Sequence, residues 1–79
     1  MSIEVWSKDN CPYCDMAKRW FASKGLEFVE FKIGHNDVTR DMLLERVPTA
    51  RTVPQIIIDG QVIGGWQELQ QSEFFKSKS

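Results

Sequence analysis

Cys11-Pro12-Tyr13-Cys14 constrains this chain more than any other stretch. Its cysteines are the only two in the sequence. A short apolar run, Ile3-Glu4-Val5-Trp6, precedes them, and a run with helical character, Asp15 to Lys24, follows. The pair therefore falls at the junction of a strand and a helix. Residues i and i+3 share one face of a helical turn, so the two sulfurs meet there with little backbone movement. Cys11 takes the N-cap and Pro12 the first helical position, where a missing N–H costs nothing. The helix N-terminus turns free N–H groups and positive dipole toward the Cys11 sulfur. That stabilises a thiolate, the nucleophilic form of cysteine. Cys14 lies one turn inside the helix and is expected to be covered. An exposed attacking cysteine and a buried resolving one are what thiol–disulfide exchange requires.

Three other uses of the pair compete. A structural disulfide closing so short a loop constrains the unfolded chain little. A closed zinc site needs about four ligands, and the chain offers two thiols and one histidine, His35, so no metal site is expected. An incidental pair of core cysteines is the third. A redox Cys-x-x-C beside a βαβ pattern is the preferred reading.

Seventy-nine residues imply a single domain over 1–79. An apolar fraction of 42% with nine aromatic side chains argues for a packed core rather than disorder. The formal net charge is −1 and no basic cluster or long acidic run appears, so neither nucleic acid nor a membrane surface is an expected partner. No apolar stretch spans a bilayer and no signal-peptide pattern opens the chain. The expectation is a cytoplasmic protein, and in a reducing compartment a lone Cys-x-x-C is more often catalytic than structural.

Ile3, Val5 and Trp6 read as a central strand that feeds a helix. Lys8, in the loop before Cys11, can stabilise the thiolate or hold an anionic substrate group. Tyr13 to Lys24 reads as the first helix, with Met16, Ala17, Trp20 and Phe21 as its apolar stripe and Gly25 as its C′ residue. Tyr13, at the exposed end between the cysteines, is free to line a groove. Glu27 to Ile33 reads as the second strand, parallel to the first through a right-handed βαβ unit. Gly34-His35-Asn36 is a turn, with His35 exposed. Asp37 or Thr39 caps a second helix to about Val47, burying Val38, Met42, Leu43 and Val47, and Pro48 ends it. Arg40, Arg46 and Arg51 are candidate carboxylate partners. Gln55 to Ile58 is the third strand, and Asp59-Gly60 turns the chain into the antiparallel Gln61-Val62-Ile63. Gly64-Gly65 lets a ligand approach free N–H groups. Trp66 to about Phe75 forms the third helix, with Leu69 and Phe74 or Phe75 packing inward. Lys76 to Ser79 reads as a polar, frayed tail.

The order β-α-β-α-β-β-α, with Cys11-Pro12-Tyr13-Cys14 after the first strand, Thr52-Val53-Pro54 before the third and Gly64-Gly65 after the fourth, resembles glutaredoxin, a thioredoxin-like α/β fold. The likeness covers about Ile3 to Phe75 and is closest to the short bacterial or phage-type dithiol members. It implies a four-stranded mixed sheet with helices on both faces and a cis Val53-Pro54 bond beside Cys11. It implies catalysis by Cys11 and Cys14, with glutathione as co-substrate and no tightly bound cofactor. Lys8, Tyr13, Arg40, Thr52, Val53, Pro54, Gly65, Trp66 and Gln67 are the implied glutathione contacts. Gly65, Trp66 and Gln67 match the segment whose backbone N–H groups hold the γ-glutamyl carboxylate. The chain departs from the family where Gln67 and Glu68 replace Asp, Ser or Thr followed by Asp, and where Asp41 stands at a position often held by Gln or Arg.

The expected activity is reduction of protein disulfides and of glutathione mixed disulfides by a monomer, with ribonucleotide reductase a partner suggested by resemblance alone. One alternative is a thioredoxin-like reductant recharged by a flavoprotein reductase. Another is a carrier whose Cys11, from each of two subunits with two glutathiones, holds a [2Fe–2S] cluster.

Overall fold

A computed structural model describes residues 1–78. Its elements are β1 (Ile3–Ser7), α1 (Pro12–Ser23), β2 (Val29–Lys32), α2 (Arg40–Arg46), β3 (Gln55–Ile58), β4 (Gln61–Gly64), α3 (Trp66–Gln71) and α4 (Glu73–Lys78). The strands form one mixed sheet in the order β2-β1-β3-β4. β1 runs parallel to β2, with Val5 opposite Glu30, and antiparallel to β3, with Val5 opposite Ile56. β3 and β4 are antiparallel. Asp59 and Gly60 both have positive φ, which gives the tight β3–β4 turn the twist that antiparallel strands need.

Strand side chains alternate between the two faces, and the burial follows. Ile3 and Val5 pack on Ala17, Phe21, Ile56, Ile58 and Leu69, so α1 and α3 cover one face. Trp6 and Ile57 pack on Leu43 and Val47, so α2 covers the other. The unbroken apolar run Ile56-Ile57-Ile58 is what a strand covered on both faces requires. The fold is thioredoxin-like, with helices on both faces of a four-stranded mixed sheet.

Several boundaries differ from the sequence expectation. β2 covers only Val29–Lys32, not Glu27 to Ile33. α2 starts at Arg40 under a Thr39 cap, whose Oγ1 accepts from Met42 N at 3.2 Å. Asp37 instead adopts a left-handed turn, φ 62°. Met42 and Met16, both expected in apolar stripes, are 41% and 46% exposed. The helix expected from Trp66 to Phe75 breaks at Ser72, whose Oγ donates to Leu69 O at 2.6 Å and accepts from Phe75 N at 3.2 Å. A side chain that both ends one helix and starts the next competes with the backbone ladder. α4 then runs through Lys78, so Lys76 to Lys78 is helical rather than frayed. Ser79 lies outside the described residues.

Candidate active site

β1 ends at Ser7, and the loop 8–10 delivers Cys11 to the start of α1. Asn10 takes a left-handed conformation, φ 56°, to make that turn. Cys11 is the N-cap in extended geometry and Pro12 opens the helix. Cys11 Sγ accepts a hydrogen bond from Cys14 N at 3.2 Å. The two sulfurs are bonded to each other, with Cα atoms 5.2 Å apart, so this is the oxidised site. Cys14 is 1% exposed and Cys11 8%. The asymmetry has the expected sense, but Cys11 is more covered than an open attacking thiol.

The cover comes from the loop before β3. Val53-Pro54 is cis, and Val53 O lies 3.7 Å from Cys11 Sγ. A disulfide sulfur has no proton to donate, so here this is a close approach; a reduced thiol finds an acceptor in the same place. Gln55 Nε2 donates to Thr52 O at 2.8 Å and braces the loop from below.

Two hollows flank this loop. The larger, about 360 Å³, is lined by Tyr13, Pro54, Trp66, Gln67 and Glu68, with Gly65 at its wall. The smaller, about 120 Å³, takes Lys8 and Arg40 on the other side. Thr52 and Val53 belong to both. Lys8, Arg40 and Arg51 thus line one hollow and Tyr13, Pro54, Gly65, Trp66 and Gln67 the other, the two meeting at Thr52 and Val53, whereas Arg46, the remaining candidate carboxylate partner, holds Glu4 instead.

Gly64 has φ 114°, a conformation that favours glycine, and a side chain there would meet Glu68 Cβ and Cγ at 3.0 Å. Gly65 N donates to Glu68 Oε1 at 2.8 Å. The expected free N–H of Gly65 is therefore already occupied, in half of a capping box. The Gly65-x-x-Glu68 spacing carried that signal, and the sequence reading missed it. The N–H groups of Trp66 and Gln67 lie beyond this bond, in the first turn of α3.

Two polar clusters lie near the end of β1 and the loop before Cys11, and neither had a signal of its own in the sequence. Glu30 Oε2 accepts from Ser7 Oγ at 2.6 Å and from Lys18 Nζ at 2.7 Å. Burial alone pushes the Glu30 carboxyl up, but the hydrogen bonds from Lys18 and Ser7 outweigh it and hold the carboxyl below its ordinary value. The hydrogen bond to Glu30 raises Lys18 in turn. In the loop before Cys11, Asp9 bonds His35 Nε2 at 2.9 Å and approaches Lys32 at 3.7 Å. The hydrogen bond with His35 keeps Asp9 below the usual carboxylate value. His35 is exposed as expected, yet it ties this loop to the turn after β2.

The glutaredoxin family profile matches residues 3–63. The chain is 43% identical over 68 residues to glutaredoxin 3 of Escherichia coli K12, covering 86% of this chain and 81% of that one. Glutaredoxin 1 of Francisella tularensis, solved with cacodylate, superposes with a TM-score of 0.79 at 28% identity, covering 99% and 98% of the two chains. The buckwheat glutaredoxin–glutathione complex superposes with a TM-score of 0.75 at 28% identity, covering 96% of this chain and 70% of that one.

Proposed function

The chain belongs to the glutaredoxin family, and from that membership we propose that Cys11 is its attacking thiol and Cys14 its resolving thiol. It is a glutathione-dependent thiol–disulfide oxidoreductase. The observation that carries the assignment of roles is the placement of Cys11 Sγ. It sits at a helix N-cap, accepts from Cys14 N, and faces the carbonyl of Val53, a residue that lines both hollows. Cys14 sits behind it, nearly sealed from solvent.

With a glutathione mixed disulfide, the Cys11 thiolate attacks the glutathione sulfur. The substrate thiolate leaves and takes up a proton. A second glutathione thiolate attacks the glutathione sulfur of the Cys11 adduct. Glutathione disulfide departs and the Cys11 thiolate returns. With a protein disulfide, Cys11 forms a mixed disulfide with one substrate sulfur. Cys14 then attacks Cys11 Sγ, the substrate leaves as a dithiol, and the bonded pair remains. Two glutathiones restore the dithiol, the first through a Cys11 adduct.

In the proposed pose, glutathione lies along the Thr52-Val53-Pro54 loop and pairs with the Val53 backbone as a short extended strand. Its γ-glutamyl carboxylate meets the Trp66 and Gln67 N–H groups, with Gly65 and Tyr13 as walls. Gln67 has no charge for the γ-glutamyl ammonium, and Glu68, lining the same hollow, supplies the carboxylate. The glycine carboxylate faces Lys8 and Arg40. The protein acts as one cytoplasmic domain and as a monomer, and ribonucleotide reductase is a candidate among its disulfide-bearing partners.

The test is turnover of a small glutathione mixed disulfide coupled to glutathione reductase and NADPH. Cys11→Ser abolishes all turnover. Cys14→Ser keeps this activity and loses reduction of protein disulfides. Loss of both activities in Cys14→Ser would overturn the assignment of roles.

A further inference from the structure

The smaller hollow has more in it than a glycine carboxylate needs. Its floor is apolar, formed by Ile33, Leu43, Leu44 and Ala50. Its rim carries three exposed cations, Lys8, Arg40 and Arg51. Among the described residues these three make no ion pair, whereas Lys18, Lys32 and Arg46 each hold a carboxylate. The hollow shares Thr52 and Val53 with the larger one, so it continues the same track past Cys11. Glycine has no side chain. Glutathione can answer the rim charge but leaves the floor uncovered.

We propose that this hollow is a second recognition site, for the part of a protein or peptide substrate that follows its reactive cysteine. The segment it fits carries a large aliphatic side chain on the first or second residue after the cysteine, and a carboxylate close by. The aliphatic group covers the floor between β2 and α2, and the carboxylate meets the Lys8, Arg40 and Arg51 rim. Unpaired guanidinium groups suit such a carboxylate, because they donate in a fixed fork. The proposal rests on the glutathione pose above, which sets the direction in which the chain crosses Val53. It deepens that reading by naming a sequence preference among protein thiols.

The experiment compares mixed disulfides of 2-mercaptoethanol with four thiols: free cysteine, γ-Glu-Cys-Gly, γ-Glu-Cys-Leu and γ-Glu-Cys-Gly-Leu. The second-order rate of reaction with the reduced full-length chain is followed by tryptophan fluorescence. The glycine parent is expected to react faster than the cysteine compound, as the pose requires. At least one leucine compound is expected to exceed the glycine parent by about tenfold, the gain from covering most of one aliphatic side chain. Ala50→Phe fills the hollow and is expected to erase the leucine advantage, the leucine compounds reacting no faster than the glycine parent with the same variant. Leu44→Gln makes the same floor polar from the α2 side and removes the same advantage, so the result does not hang on one variant.

Leucine compounds no faster than a well-recognised glycine parent would overturn the second site and leave the pose standing. A leucine advantage that survives both variants would also overturn it, by moving the contact elsewhere. A glycine parent no faster than the cysteine compound would overturn the pose, and the second site with it.

Discussion

The two faces of the sheet are built to different depths. On the α1 and α3 face, Phe21 is fully buried and Trp20 stacks on Phe75 with ring centroids 4.5 Å apart. Phe28 and Phe74 pack around Phe21, and Leu69 closes the layer from α3. On the other face, the seven-residue α2 and its C-cap bring Leu43 and Val47 to meet Trp6 and Ile57, with Phe31, Ile33, Val38, Ala50 and Val53 only partly buried around them. There Trp6 stacks on Phe31, and a hollow opens beside Leu43. One face is a thick aromatic core. The other is a thin layer that stops short of filling its space, next to Cys11. A chain of this size has little stability to spare. Concentrating the packing on one face leaves open space on the other, beside Leu43 and Val53.

The largest expected effect follows from the thick face. Phe21→Ala empties a site enclosed by other rings and is expected to cost about 3–5 kcal/mol. That approaches the whole stability of a small domain, roughly 0.05–0.15 kcal/mol per residue, so the variant is expected to be largely unfolded by circular dichroism at 37 °C. Leu43→Ala removes a buried side chain from the thin face and is expected to cost less, about 2–3 kcal/mol. Its cavity merges with an existing hollow rather than opening inside a closed layer. Urea titration of both variants compares the faces directly. Equal losses would show that the thin face carries as much of the fold as the thick one.

The elements on both faces that follow from a local pattern were the more legible in the sequence, and the reason is physical. Ala17 and Phe21 recur at helical spacing, and Ile56-Ile57-Ile58 is an apolar run with no polar interruption. Cys11-Pro12 announced a helix start and Asp59-Gly60 a tight turn, because each depends on its own backbone alone. What the sequence did not show depends on partners far along the chain. Met42 satisfies the period of α2, yet seven residues of helix cannot bring all of its apolar positions onto the sheet. Ser72 could have stayed inside one long helix, and only its bonds to Leu69 and Phe75 decide otherwise. Glu30 looks like a solvent-facing residue of an edge strand until Lys18 and Ser7 are seen to meet it. The site motifs were readable one by one. Their separation into two hollows, and the occupation of the Gly65 N–H by Glu68, required three dimensions.

A middle-sized prediction probes the boundary between the faces. Glu68→Gln keeps an oxygen for Gly65 N and removes the charge from the larger hollow. The fold is expected to survive with its melting temperature within a few degrees, as for most surface changes. The apparent KM for glutathione mixed disulfides is expected to rise roughly tenfold, the scale of one lost charge-assisted contact. An unchanged KM would assign Glu68 to capping α3 alone.

The smallest effect concerns charge on the thick face, where Glu30, Lys18 and Ser7 meet beside α1. Glu30 is held below its ordinary value of 4.5, and Lys18 above its ordinary value of 10.5. Both charged forms are therefore favoured by folding. The Glu30 contribution is complete above the ordinary glutamate value and is lost as pH falls through the lowered folded value. The Lys18 contribution is complete below the ordinary lysine value and is lost as pH rises through the raised folded value. The pair supports the fold between those limits and fades beyond each. Its side chains are 22% and 29% exposed, so water screens it and about 1 kcal/mol is the expected size. Glu30→Gln keeps an acceptor for the buried Ser7 hydroxyl and removes only the charge. At pH 7 it is expected to lower the melting temperature by about 4–8 °C, the shift that 1 kcal/mol produces in a domain of this length. As the pH falls through the lowered folded value and the wild-type carboxyl is protonated too, the difference is expected to close. A gap that stayed the same as the pH falls from 7 into the acid range, down to where the fold itself is lost, would mean that the loss is one of packing, and that charge adds nothing to the stronger face.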